Sequence, residues 1–427
     1  MNTRTADQAR WWILVFTSVA LFGNYYVYDS IAPVADLLQR QLGFTSTQLG
    51  TLNAIYSAPN IVLVLVGGVL TDRFGAARVT FWTALICVVG AMLTAIGSHF
   101  VVMAAGRLLF GIGAETMIVA TLAALGQWFA GRSVAFAMGL GLSMARLGSY
   151  AADLSPTYAA QLYERGWQPP LWFAATIMAL GLVGAAAYWW VDARARARGT
   201  QLAATSTDRF AWSDVWRFNR SYWYLVALCV LFYSVIFPFR STFAIAYFQH
   251  AHGLPLDTAG QMNSYVFLAA VFATPIFGWI ADRFGRRGVL MMFGSLLLPL
   301  SFVILAETSW SLWVTTMLIG VSFSLVPAVL WPSVSILVEP KRLGTAFGLM
   351  TMLQNIAMMV VNVAAGALND ANGASEQNPD GYRPMLWLFF ALSVIAFVFA
   401  AALRAHETGS GGHGLESIVA GKEASRI

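Results

Sequence analysis

The sequence predicts an all-α membrane protein built from two related six-helix halves, and three observations carry that prediction. The first is composition. Of 427 residues, 58% are hydrophobic and only 11% charged, with a mean hydropathy of +0.66, well outside the range of soluble domains. The second is a series of twelve apolar runs, each near the roughly 20 residues that a bilayer crossing needs. The third is a repeat: Gly68-Val-Leu-Thr-Asp72-Arg73-Phe74-Gly75 returns 210 positions later as Gly278-Trp-Ile-Ala-Asp282-Arg283-Phe284-Gly285. A turn duplicated at matched places between apolar runs marks a membrane protein made of two related halves.

The expected spans follow from the apolar runs. In the first half they cover 11–36, 47–71, 78–97, 100–128, 131–156 and 170–191. In the second they cover 219–249, 257–281, 287–306, 309–337, 341–368 and 383–404. The expected organisation is a bundle over 1–191, a polar cytoplasmic linker over 192–218, a second bundle over 219–405, and a glycine-rich disordered tail over 406–427. With both termini in the cytoplasm, the inner segments carry 19 of the 25 Lys and Arg residues. The outer loops carry only Arg40, Arg165 and Arg383, as the positive-inside rule requires. The formal charge of +5 therefore reflects topology and lipid headgroups. No soluble basic domain is present to hold nucleic acid. Cys87 and Cys229 both fall inside spans, where packing is their expected role. No cofactor, no metal site and no enzymatic activity are expected, since no nucleophile–base pair or metal-ligand cluster stands out.

Charges inside spans are the residues that need a reason. Glu115 lies in Gly106-Arg107-Leu-Leu-Phe-Gly111-Ile-Gly113-Ala-Glu115 of the fourth run, and Arg146 in Leu142-Ser143-Met144-Ala145-Arg146 of the fifth. Counted from opposite faces at ~1.5 Å per residue, both sit ~22 Å deep, near the bilayer midplane. A charge there costs roughly 2.5–3.5 kcal/mol on insertion scales. One explanation is an ion pair that locks two neighbouring helices. The favoured one is a pair of charges facing a central water-filled cavity and holding the two ends of a zwitterion, because buried pairs are weak stabilisers after desolvation. Under the 210-residue offset these positions become Leu325 and Ile356, so the charges are not part of the shared scaffold.

Five further groups complete the expected machinery. Arg107 lies two turns outward of Glu115, with a structural or gating role. Asp29 closes the first span after Asn24-Tyr25-Tyr26-Val27-Tyr28, as a gate, a substrate contact or a satisfied boundary carboxylate. Arg240 follows Phe237-Pro238-Phe239, where proline frees backbone groups, and reads as an outer gate. Tyr25, Tyr28, Tyr56, Asn60, Asn263, Trp331, Gln354 and Asn355 are expected to line the cavity, each with packing as the alternative role. The duplicated turns supply Asp72, Arg73, Asp282 and Arg283 as conformational elements. Glycine there allows a tight turn, and the aspartate can meet an arginine or a helix N-terminus.

The repeated turn resembles the cytoplasmic-loop signature of the major facilitator superfamily, which latches two halves during alternating access. The first copy departs from the pattern, with Ala76 and Ala77 where a basic pair is usual. Several segments together are similar to one branch of that superfamily, the animal lysosomal dipeptide uniporters. These are Tyr28-Asp29, Tyr56-Ser57-x-Pro59-Asn60, the Gly106–Glu115 and Leu142–Ser149 stretches, Phe237-Pro238-Phe239, Leu330-Trp331-Pro332, Leu343-Gly344-Thr345-Ala346 and Gln354-Asn355. The resemblance implies uniport of small zwitterionic peptides, with Glu115 taking the α-ammonium and Arg146 the carboxylate.

Only two lysines accompany 23 arginines, a bias common in GC-rich bacterial genomes. A bacterial inner-membrane location is therefore expected, with the lysosomal membrane as the alternative. The expected partners are a small-molecule substrate and the lipid bilayer, for a monomer without an accessory subunit. The main rival is a small organic-anion carrier using Arg146 and Arg240, with or without proton coupling. Glu115 weighs against it, because an ionised carboxylate repels an anion. Proton-coupled peptide symporters carry Glu-x-x-Glu-Arg in the first span, which this chain lacks.

Overall fold

A computed structural model describes residues 3–130, 133–198, 212–308, 310–410 and 412–417. Residues 199–211 of the expected linker and 418–427 of the expected tail lie outside the described residues. The chain divides into two compact units, Met1–Thr207 and Asp208–Ile427, and the division falls inside the expected linker.

The first unit contains α1 (Thr3–Asp29), α2 (Ala35–Leu42), α3 (Ser46–Ser57), α4 (Asn60–Phe74), α5 (Ala76–Ile96), α6 (Phe100–Trp128), α7 (Val134–Tyr158), α8 (Ala160–Glu164) and α9 (Gln168–Ala197). Pro59 separates α3 from α4, since its ring leaves no N–H for the ladder. A capping box starts α3, with Thr45 and Gln48 satisfying each other's backbone N–H groups. α9 runs six residues past the expected end of the first bundle. Asp192 explains why: buried, it accepts from Trp128 Nε1 (3.2 Å) and from Arg196 Nε (2.8 Å), so a charge that looked like linker is satisfied inside the bundle.

The second unit contains α10 (Trp212–Val215), α11 (Arg220–Pro238), α12 (Ala244–His252), α13 (Leu256–Phe284), α14 (Arg287–Glu307), α15 (Leu312–Leu337), α16 (Leu343–Ala371) and α17 (Arg383–Glu407). A π-helical segment, Phe239–Phe243, joins α11 to α12 directly after Pro238.

The duplication extends from one turn to the whole topology. In the first unit α5 packs on α6 and α9, α1 on α7 and α9, and α4 on α6. In the second unit α14 packs on α15 and α17, α11 on α16 and α17, and α13 on α15, the same pairings in the same order.

Each unit presents apolar side chains outward and buries several charged and polar ones within an apolar core. Val101 and Phe272 are 74% and 67% exposed, whereas Asn24, Asp29, Arg107, Asp153 and Arg240 are buried. Such a surface suits hydrocarbon and would aggregate in water. Among the described residues, nine helices are long and apolar enough to cross a membrane, or ten when the bent pair Ser46–Leu63 and Val66–Phe74 counts as one span. The stretches that fall short, α1, α7 and the α3–α4 pair taken singly, all belong to the first unit. They carry Asn24 to Asp29, Arg146, and Tyr56 with Asn60. The polar residues that make these helices interesting also lower their hydropathy.

Both repeated turns reverse on glycine in the left-handed region, Gly75 at φ +86° and Gly285 at φ +65°. Their chemistry then diverges. In the second copy Arg287 Nη2 donates to Asp282 Oδ1 at 2.7 Å. At the matched place in the first copy, Ala77 offers no donor.

The tail expectation is corrected for residues 408–410 and 412–417, which fold back onto the second unit. The buried Glu407 carboxylate accepts from Ser221 Oγ, from His413 N (2.8 Å) and Nδ1 (2.9 Å), and from Leu415 N (3.4 Å). Leu415 is fully buried. Its carbonyl accepts from Arg287 N (3.2 Å) and that of Glu416 from Arg286 N (3.3 Å), so the tail caps the first turn of α14. Glycine-rich composition suggests disorder, but one apolar residue and one helix end in need of acceptors override it here.

Candidate functional site

The expected midplane charges stand at the middle of their helices. Glu115 is the sixteenth of 29 residues in α6, and Arg146 the thirteenth of 25 in α7. Both are only partly buried, although the helices around them are apolar.

Tyr25 of α1 ties the two together. Partly buried itself, it lies within electrostatic reach of Arg146, Glu115 and Asp29. Asn24, its neighbour, donates from Nδ2 to the Ala114 carbonyl at 3.3 Å, which fixes α1 against α6 one residue from Glu115. Tyr56 donates from Oη to Glu115 Oε1 at 3.1 Å. Tyr56 and Glu115 are thus in direct contact, and Tyr25 lies in the electrostatic field of both Glu115 and Arg146.

Others are placed differently. Tyr28 is buried, with its ring 4.6 Å from that of Tyr56. Asn60 is fully buried at the start of α4, a turn beyond Tyr56. Asp29 is fully buried at the end of α1, within electrostatic reach of Arg107. Arg107 is 1% exposed and donates to the carbonyls of Leu52 (3.4 Å), Val27 (3.1 Å) and Tyr28 (3.1 Å) and to Asn53 Oδ1 (2.5 Å).

In the second unit the expected residues form two groups. Arg240 is buried in the π-helical segment, its guanidinium 3.7 Å from the centre of the Phe267 ring and Nη1 donating to Ser241 Oγ at 2.8 Å. Asn263 donates to the Arg240 carbonyl at 3.1 Å, which supplies a partner where the helix is interrupted. Trp331 donates from Nε1 to Tyr233 Oη at 2.8 Å. Gln354 accepts from Cys229 Sγ (3.5 Å), and Asn355 turns back to the Thr351 carbonyl (3.0 Å). At the turns, Asp72, Arg73 and Arg283 are exposed, and Arg73 and Arg283 lie over Phe74 (5.4 Å) and Trp279 (5.3 Å).

Sequence reading missed three groups. Asp153, a fully buried carboxylate on α7 two turns beyond Arg146, was legible as an acid within an apolar run. Asn53 and Tyr233 had no such signal, because their importance lies in their partners. The matched positions in the second unit, Leu325 and Ile356, carry no charge, and Leu325 is 1% exposed.

Two topologically matched helical bundles, only one of which bears opposite charges in mid-helix, define a multi-pass membrane transporter. The chain belongs to the major facilitator superfamily, whose family model matches residues 17–244 and 238–418. It is 32% identical over 373 residues to the lysosomal dipeptide transporter MFSD1 of Danio rerio, covering 84% of this chain and 81% of that protein. The Homo sapiens protein of the same name is 30% identical over 367 residues, covering 82% and 78%. Among solved structures, a bacterial homologue of the human lysosomal transporter Spinster matches with a TM-score of 0.74 at 13% identity, covering 93% of this chain and 97% of that one. That likeness shows the fold.

Proposed function

We propose that this chain moves small zwitterionic peptides by alternating-access uniport. The carrying observation is that Glu115 and Arg146, opposite in charge and partly open in mid-helix, both lie within reach of Tyr25. In this reading the peptide ammonium donates to the Glu115 carboxylate, and the peptide carboxylate accepts from the Arg146 guanidinium. A zwitterion neutralises both protein charges at once, so the loaded site carries no unpaired charge through its reorientation. An amine or an anion satisfies one end and leaves the other ionised. Because the ligand is net neutral and both protein charges are the same before and after, no proton has to accompany it.

The relatives named as dipeptide transporters support this reading, and so does the confinement of the charges to one unit. Arginine asymmetry supports twelve crossings with both termini cytoplasmic, and the arginine-over-lysine bias supports a bacterial inner membrane. We further propose that the protein acts as a monomer without an accessory subunit.

A thermal-shift screen of the purified protein tests the substrate. Dipeptides are expected to raise the unfolding temperature, as a ligand selective for the folded state must. Arg146→Ala is expected to remove that shift. Stabilisation by organic anions with none by any dipeptide would replace this reading with the anion-carrier one. Liposome uptake with and without an imposed pH gradient tests coupling, and equal initial rates are expected.

A further inference from the structure

Arg107, Gly111 and Glu115 stand at i, i+4 and i+8 of α6, a turn apart on one face. Arg107 meets one turn of α3, and Gly111 and Glu115 both meet Tyr56 in the next. Arg107 holds the Leu52 carbonyl and the Asn53 side chain, the turn just before Tyr56. Gly111 lies so close to the Tyr56 carbonyl that a Cβ at residue 111 would drive into its oxygen. Glu115 accepts from the Tyr56 hydroxyl at 3.1 Å.

The same guanidinium also binds the end of α1 through the Val27 and Tyr28 carbonyls. Its carbon lies 5.5 Å from the Tyr56 ring centre and 5.7 Å from that of Tyr28, within cation–π range of both. A gating arginine must exchange partners. Arg107 instead donates four hydrogen bonds while 1% exposed. Moving it would strand those groups in apolar surroundings.

We infer that Arg107 and Tyr56 are positioning residues: Arg107 and Gly111 fix the last turn of α3 on α6, and the Tyr56 hydroxyl then holds the Glu115 carboxylate where it receives a substrate ammonium. This rests on the proposed role of Glu115. It reassigns Tyr56 from cavity wall to support and Arg107 from gate to anchor. It also gives the spacing Arg-x-x-x-Gly-x-x-x-Glu one purpose, three consecutive turns of one helix gripping one neighbour.

The test compares binding of alanyl-alanine, its N-acetyl derivative and its C-terminal amide to the purified full-length protein. Wild type is expected to prefer the free over the acetylated amine by about tenfold or more, the size of one charge-assisted hydrogen bond. Tyr56→Phe keeps the ring and loses the hydroxyl. Gly111→Ala pushes the Tyr56 carbonyl away. Arg107→Lys keeps the charge and loses the planar fork. Each is expected to reduce the preference by about three- to tenfold, while discrimination against the C-terminal amide stays at the wild-type value. A purely structural role weakens all three ligands together. Tyr56→Phe and Gly111→Ala proteins that fold and keep the wild-type ratio overturn the inference. A wild type that does not distinguish free from acetylated amine overturns the underlying role of Glu115 instead.

Discussion

Replacing Glu115 by glutamine separates a binding charge from a structural one, because the two roles predict opposite signs of stability change. A carboxylate near mid-bilayer costs about 2.5–3.5 kcal/mol. Glu115 is partly exposed and receives the Tyr56 hydroxyl, which already offsets much of that cost. Glutamine still accepts from Tyr56, so about 1 kcal/mol of residual charge cost is recovered in the ligand-free protein. That corresponds to a rise in Tm of roughly 2–4 °C at this size of folding unit. If Glu115 were instead one half of a pair that locks α6 to α7, losing it would strand a buried charge and cost about 3–5 kcal/mol. The assay is thermal unfolding of the detergent-purified protein, with and without a dipeptide. A ligand at 100 times its Kd stabilises by about 2.7 kcal/mol, and the glutamine variant is expected to lose that increment while its ligand-free Tm rises. A ligand-free Tm several degrees below wild type, with the dipeptide shift intact, refutes the reasoning.

Two further outcomes follow from contacts elsewhere in the second unit. Truncation after Glu407 removes the carbonyl partners of Arg286 N and Arg287 N, so amide exchange at the first turn of α14 is expected to quicken about tenfold or more while the centre of that helix is unaffected, as read by hydrogen–deuterium exchange. Trp331→Phe and Tyr233→Phe each break the same 2.8 Å hydrogen bond. Each is expected to cost about 1 kcal/mol, and the double variant no more than either alone, as a double-mutant cycle by thermal unfolding would show.

Much of the fold was legible because membrane proteins write it in large letters. Apolar runs set the helices, and the offset between the Asp72 and Asp282 turns announced a duplication that the matched helix pairings then displayed throughout. Glu115 and Arg146 were legible for a related reason, since a charge in hydrocarbon is conspicuous in any sequence. What stayed hidden depends on partners rather than on residue type. Asn53 looks like any polar residue until Arg107 reaches it from α6. Asp192 looked like linker until Trp128 and Arg196 received it. The tail looked disordered because composition says nothing of the carboxylate and helix end waiting for it. Tyr56 was expected as a cavity-lining residue and donates to Glu115, but proximity does not reveal whether a side chain meets a ligand or steadies one that does.

The docked tail also bears on how the chain is made. Arg286 N meets the carbonyl of Glu416, 130 residues later in the sequence (416 − 286). The opening turn of α14 therefore emerges from the ribosome long before its acceptors exist, and it stays uncapped until the segment that follows α17 is made. A chain interrupted between Glu407 and His413 presents an uncapped α14 start and a Glu407 carboxylate that lacks its His413 and Leu415 donors.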